Sequence, residues 1–133
     1  DGALLIGDRA LIAARDFPEL VKLDLGAEWT NETGFPMVFG VFAARKDSPK
    51  PVLIKASNDM IKQYDKFLSD TFWRSEVVER TSKKLGFTES RISEYFSVEV
   101  QNKLDDFSKK GLEFFLKEVC QMKGEITWLS DYE

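Results

Sequence analysis

Ala3-Leu4-Leu5-Ile6, closed by Gly7-Asp8, is a short apolar run without a polar break, and Met37-Val38-Phe39-Gly40-Val41-Phe42-Ala43-Ala44, ending at Arg45, is a second. Strands covered on both faces have this pattern, because helices lie on each side of a parallel sheet; a half-exposed strand alternates instead. These two stretches decide the fold class, which is expected to be α/β. Between them Val21, Leu23 and Leu25 alternate with Lys22 and Asp24, which predicts a half-buried strand closed by Gly26. Gly40, in the middle of an apolar run, implies close approach of another backbone or of a ligand.

Outward from these strands, Arg9 to Ala14 are good helix formers, and Phe17-Pro18 stops them. Glu28 to Gly34 is polar apart from Trp29 and is expected to be a loop, with Thr33-Gly34-Phe35-Pro36 as a turn. From Pro51 the period becomes helical: Met60, Ile61, Tyr64, Phe67, Leu68 and Phe72 recur at steps of three and four. The stripe runs less regularly through Val77, Val78 and Leu85 to Gly86, a C-terminal cap. Thr88 caps a short helix carrying Ile92, Tyr95 and Phe96. Leu104 to Met122 outline a last helix begun near Asp105-Asp106 and ended by Gly124, and Ile126 to Leu129 form an apolar tail that docks back. The aromatic residues at helical spacing, Tyr64, Phe67, Phe72, Phe107 and Phe115, are expected in the core.

The chain thus divides into a strand-rich part, residues 1–45, and a helical part, residues 46–133. Strands covered on both faces cannot form a stable sheet alone, so this chain needs neighbours. It begins inside what is expected to be a buried strand, as a piece of something longer would.

Composition excludes several kinds of chemistry. The chain has 133 residues, no histidine and one cysteine, so it has no imidazole base, no histidine metal ligand, no Ser-His or Cys-His nucleophile and no internal disulfide. Nineteen basic against twenty-three acidic residues leave a net charge of −4, unlike a nucleic-acid-binding surface. No apolar stretch is long enough to span a membrane. Asp1 to Ile6 lacks the basic region of a signal peptide, and the expected location is the cytoplasm.

Two segments are candidate site elements. Asp8 follows directly on a strand, and ligands of open α/β sheets bind beyond the carboxyl ends of strands; the plainer reading is a cap for the helix beginning at Arg9. In Thr33-Gly34-Phe35-Pro36 the free amides and the hydroxyl can face an anion, and the plainer reading is a turn. Arg45 can clamp a carboxylate or simply be a solvated strand end. Cys120, among Phe115, Val119 and Met122, is expected as a small buried hydrophobe.

The run Asp1-Gly2-Ala3-Leu4-Leu5-Ile6-Gly7-Asp8-Arg9-Ala10-Leu11 resembles a signature of the menaquinone-biosynthesis family of the futalosine route. Asp24-Leu25-Gly26-Ala27-Glu28-Trp29 and Thr33 to Arg45 continue it in order and spacing. Tyr95-Phe96, Leu104 and Gly111-Leu112-Glu113-Phe114-Phe115 are similar to the family's C-terminal helices more loosely. One branch of that family dehydrates chorismate; another cyclises dehypoxanthine futalosine and carries a catalytic histidine just after the strand matching residues 3–6. This sequence has Gly7 there.

The resemblance therefore implies a chorismate dehydratase, a lyase forming 3-[(1-carboxyvinyl)oxy]benzoate. It implies a type II periplasmic-binding-protein-like fold of two α/β lobes, of which this chain is the second half. Residues 1–45 would be the end of the second lobe and the return crossing strand, and residues 46–133 the C-terminal helices packing on the first lobe. The N-terminal half would complete the fold. Gly7, Thr33, Gly34 and Pro36 would line the substrate site and Asp8 would take part in catalysis, with neither metal nor organic cofactor. The rival expectation is a non-catalytic solute-binding protein of the same fold.

Overall fold

The computed structural model describes residues 1–132; Glu133 lies outside them. Among the described residues the chain forms helices and no β-strand, which overturns the expected α/β two-lobed architecture. Ala3 to Ile6, Val21 to Asp24 and Met37 to Ala44 are irregular, and among the described residues no backbone–backbone hydrogen bond is made by residues 1–6 or 37–44. The physical reason is the need for a ladder. Strand residues satisfy their amides only against a neighbouring strand, and none lies beside these runs.

The first helix, α1 (Asp8–Asp16), begins where the helix-forming run predicts and stops at Phe17, with a 3₁₀ turn Pro18–Leu20 behind it. The expected polar loop is instead helix α2 (Leu25–Thr33). Its start is chemical: the Asp24 carboxylate accepts from the Ala27 amide at 2.9 Å, which supplies an acceptor to one of the free amides of the first turn. Its end is Gly34, left-handed at φ 74°.

The long stripe after Pro51 is two helices, α3 (Lys50–Ser69) and α4 (Thr71–Leu85). Asp70 separates them: it ends α3, and its carboxylate accepts from the Trp73 amide at 3.0 Å to begin α4. Gly86 closes α4 in the left-handed region as expected. The Thr88 hydroxyl accepts from the Arg91 amide to start α5 (Glu89–Glu94), which runs into a π-helical turn, Tyr95–Glu99. Arg91 spans that turn with two bonds to the Glu99 carboxylate, 2.6 and 3.1 Å, which hold the guanidinium more firmly protonated than usual. The last long helix, α6 (Asp106–Glu118), is shorter than its apolar stripe. Trp128 does fold back: its indole donates to Glu113 at 3.2 Å and Lys109 lies over its ring.

Helices α3, α4 and α5 pack together, with Ile92 (1% exposed) and Val78 at the centre. Phe67 meets Phe96 edge-on in the same unit. Two aromatic residues expected in the core are outside it: Phe72 is 81% exposed, and Phe107 is also open to solvent. Cys120, expected buried, is exposed. Leu4, Ile6, Phe39 and Phe42 are largely exposed as well. The whole surface is 10,686 Å², against about 7,100 Å² for a compact chain of this mass.

Candidate functional site

Gly7 caps the N-terminal end of α1 with φ 62° and ψ −140°, a conformation open to glycine and strained for side-chain-bearing residues. Its carbonyl accepts from Leu11 at 3.1 Å, and a Cβ built on it would meet nothing within 4 Å. The position is therefore both sterically open and reserved for glycine by its backbone. Asp8 is the first residue of α1, exposed, and α1 has no side-chain cap. This corrects the plainer sequence reading of a hydrogen-bonded Asp8 cap. The carboxylate acts on α1 through its charge, favourable beside free helix amides.

What holds this corner is the far end of α1. Arg15 Nη1 donates to the Gly86 carbonyl at 2.9 Å, and its guanidinium lies 4.6 Å from the centre of the Phe87 ring. Leu11 shares a seam with Phe87, Ile92 and Tyr95. Gly7 and Asp8 are thus carried by the α4–α5 unit.

The second segment sits on α6. Thr33, the last residue of α2, donates its hydroxyl proton to the Trp29 carbonyl at 2.7 Å and accepts from the Phe35 amide at 3.1 Å. The Gly34 amide donates to the Thr30 carbonyl at 2.8 Å. Both donors that the sequence offers to an anion close the end of α2 in this structure. Phe35 packs against Phe107 and Phe114, and Trp29 against Phe114 and Phe115, with ring centres 5.4–5.9 Å apart. The Trp29 indole N–H is buried with no acceptor among the described residues. The backbone of Pro36 lies directly on Gly111 of α6.

Among the described residues, no hydrogen bond, ion pair or ring contact joins Gly7-Asp8 to Thr33–Pro36. Arg45 is exposed and pairs with Asp47. No group of three or more Cys, Asp or Glu converges with metal-binding geometry among the described residues. No helix among them is long and apolar enough to cross a membrane. Two features of the second segment escaped the sequence reading, helix α2 and the seat at Gly111. Asp24 before a helix-compatible stretch and a glycine inside an amphipathic helix are the signals that carry them.

No solved structure matches the chain. A family model described as menaquinone biosynthesis matches residues 1–121, which take in both candidate segments and all of α1 to α6. The chain belongs to the menaquinone biosynthesis family.

Proposed function

We propose that this chain serves the dehydration of chorismate to 3-[(1-carboxyvinyl)oxy]benzoate. The observation that carries the reading is the ordered signature of residues 1–45 with Gly7, and no histidine anywhere, where the cyclising branch of the resemblance has its catalytic histidine. The open space around Gly7 supports it, since a substrate ring needs room there.

The reaction removes a ring proton and a neighbouring hydroxyl as water and leaves an aromatic ring, so aromatisation drives it. The protein has to hold a dianion, orient the ring and move one proton, tasks within reach of hydroxyls, amides and a carboxylate. In this reading Asp8 accepts or relays the proton and does not touch a substrate carboxylate, since like charges repel. Thr33, Gly34 and Pro36 form the wall that meets a substrate carboxylate. The Thr33 hydroxyl reaches such a carboxylate by turning away from the Trp29 carbonyl it now serves.

The partner in this reading is the protein's own N-terminal half, in the cytoplasm. The surface exceeds that of a compact chain by roughly 3,500 Å², more than the 1,000–2,500 Å² per partner typical of obligate interfaces. An excess of that size fits the missing interior of one domain better than a contact between separate subunits. The test is incubation of the full-length protein with chorismate, with the product followed by liquid chromatography. Formation of the benzoate supports the reading; unchanged chorismate with tight binding of another solute selects the non-catalytic rival.

A further inference from the structure

We infer that Gly111 is a positioning residue for the Thr33–Pro36 turn, setting the depth at which that turn sits and so the place where it meets substrate. The inference rests on the reading that this turn faces the substrate.

Gly111 lies inside α6 and is buried. Glycine is the poorest helix former after proline, so a buried glycine inside a helix calls for a packing reason. Here the reason is backbone. A Cβ at Gly111 would lie 2.9 Å from the Pro36 carbonyl oxygen and 3.2 Å from the Phe35 Cβ. Neither atom is the loose end of a side chain, so neither gives way without moving the turn. The other helical glycine in contact, Gly26, meets side-chain atoms and no backbone: the tip of the Phe39 ring, which can swing aside, and at 3.4 Å the Asp24 carboxylate.

Phe107, Gly111 and Phe114 share one helix face, four and then three residues apart. They form a notch, with Gly111 as its floor and the two rings as its walls. The Phe35 ring fills the notch, its centre 5.6 Å from that of Phe107 and 5.5 Å from that of Phe114. Thr33 and Gly34 immediately precede the seated Phe35 and are tied to it by the bond from the Phe35 amide to the Thr33 hydroxyl. A methyl on the floor lifts the turn by several tenths of an ångström and leaves α6 helical, since alanine is the better helix former. Displacements on the ångström scale at a positioning group cost up to about 10² in rate.

The experiment compares Gly111→Ala, Phe35→Leu and Thr33→Val in the full-length protein, with chorismate as substrate and amide hydrogen exchange as a second readout. Phe35→Leu empties the notch without a clash and serves if Gly111→Ala does not fold. Gly111→Ala is expected to raise KM roughly tenfold with little change in kcat, and to speed exchange of the Phe35 amide. A merely structural role would reduce the active fraction, lowering apparent kcat at constant KM. Because the glycine acts through the turn, Gly111→Ala with Thr33→Val is expected to cost no more than the worse single variant. An unchanged KM in Gly111→Ala and in Phe35→Leu, while Thr33→Val raises it, overturns the inference; so do strictly additive effects. If Thr33→Val also leaves KM unchanged, the substrate reading of the turn fails, and the role of Gly111 toward substrate fails with it. Exchange at Phe35 then reports separately on the seat, which unchanged rates would also remove.

Discussion

The guanidinium of Arg15 donates to the carbonyl of Gly86, across 71 residues of sequence, and so ties the last turn of α1 to the end of α4. Gly86 is left-handed at φ 69°, and the carbonyls at a helix end lack partners within the helix. Arg15 supplies a donor there while its plane rests on Phe87. The Asp16 carboxylate hydrogen-bonded to it raises its pKa above the ordinary arginine value.

Arg15→Ala is expected to loosen α1, because it removes both the charge-assisted hydrogen bond to Gly86 and the cation–π contact with Phe87. The measurement is amide exchange across α1, which should speed in the variant. Arg15→Lys should restore little, because an ammonium lacks the plane that stacks on Phe87. Unchanged exchange in Arg15→Ala would mean that Leu11 alone anchors the helix.

The start of α6 carries a pH dependence. Asp105 accepts from the Ser108 amide at 2.8 Å, and this backbone bond is the main reason its pKa lies below the ordinary aspartate range. A carboxyl whose folded pKa is depressed adds stability above its unfolded pKa, about 3.9, and loses it as pH falls through the folded value. Carbon NMR titration of Asp105 should show the depressed value directly. Helicity of α6 should fall off in acid below about pH 4, whereas Asp105→Asn, whose amide oxygen still caps, should flatten that dependence. Asp105→Ala should lower the helicity of α6 at neutral pH, because it removes the cap on the Ser108 amide.

Local chemistry made much of the helical fold readable. The stop at Phe17-Pro18, the Thr88 cap, the Gly86 terminus and the Asp105-Asp106 start each act within a few residues, and each is where the sequence places it. Helix α2 is hard to read from the sequence because Val21, Leu23 and Leu25 alternate as a strand does, which masks Asp24 as the capping carboxylate. Ala3 to Ile6 and Met37 to Ala44 failed for another reason. An apolar run says that a segment wants burial, not what will bury it, and a strand exists only with its neighbour. In the candidate site the turn at Thr33–Pro36 was legible from its glycine and proline. Its seat on Gly111 depends on a tertiary contact that no local pattern carries.

The same unmet burial predicts how residues 1–133 behave without a partner. Leu4 is 78% exposed and Phe42 89%, and among the described residues the buried hydrophobic side chains are Val78 of α4 and Ile92 of α5. Residues 1–133 expressed alone should bind a hydrophobic dye and show a broad thermal transition with no cooperative step. Adding the N-terminal half as a second polypeptide should sharpen the transition and suppress dye binding. A cooperative melt of the dilute monomer would contradict the expectation and the partner proposed for it.

Asp8 separates structure from chemistry, because its two roles respond differently to one substitution. Its carboxylate caps nothing by hydrogen bonding, so its structural contribution is charge at a helix N-terminus, about 0.3–1 kcal/mol and screened by salt. Asp8→Asn removes that charge with little change of shape, and the loss in Tm should be small and should shrink in high salt. If Asp8 moves the proton in chorismate dehydration, turnover in the full-length protein should fall by about 10² or more at near-constant stability, the ordinary scale of general acid–base catalysis. The salt series keeps the two apart: screening erodes a helix–charge effect and leaves a missing base missing. Full turnover in Asp8→Asn, with only the salt-sensitive loss of Tm, would confine Asp8 to the start of α1 and return the search for the base to the remaining carboxylates.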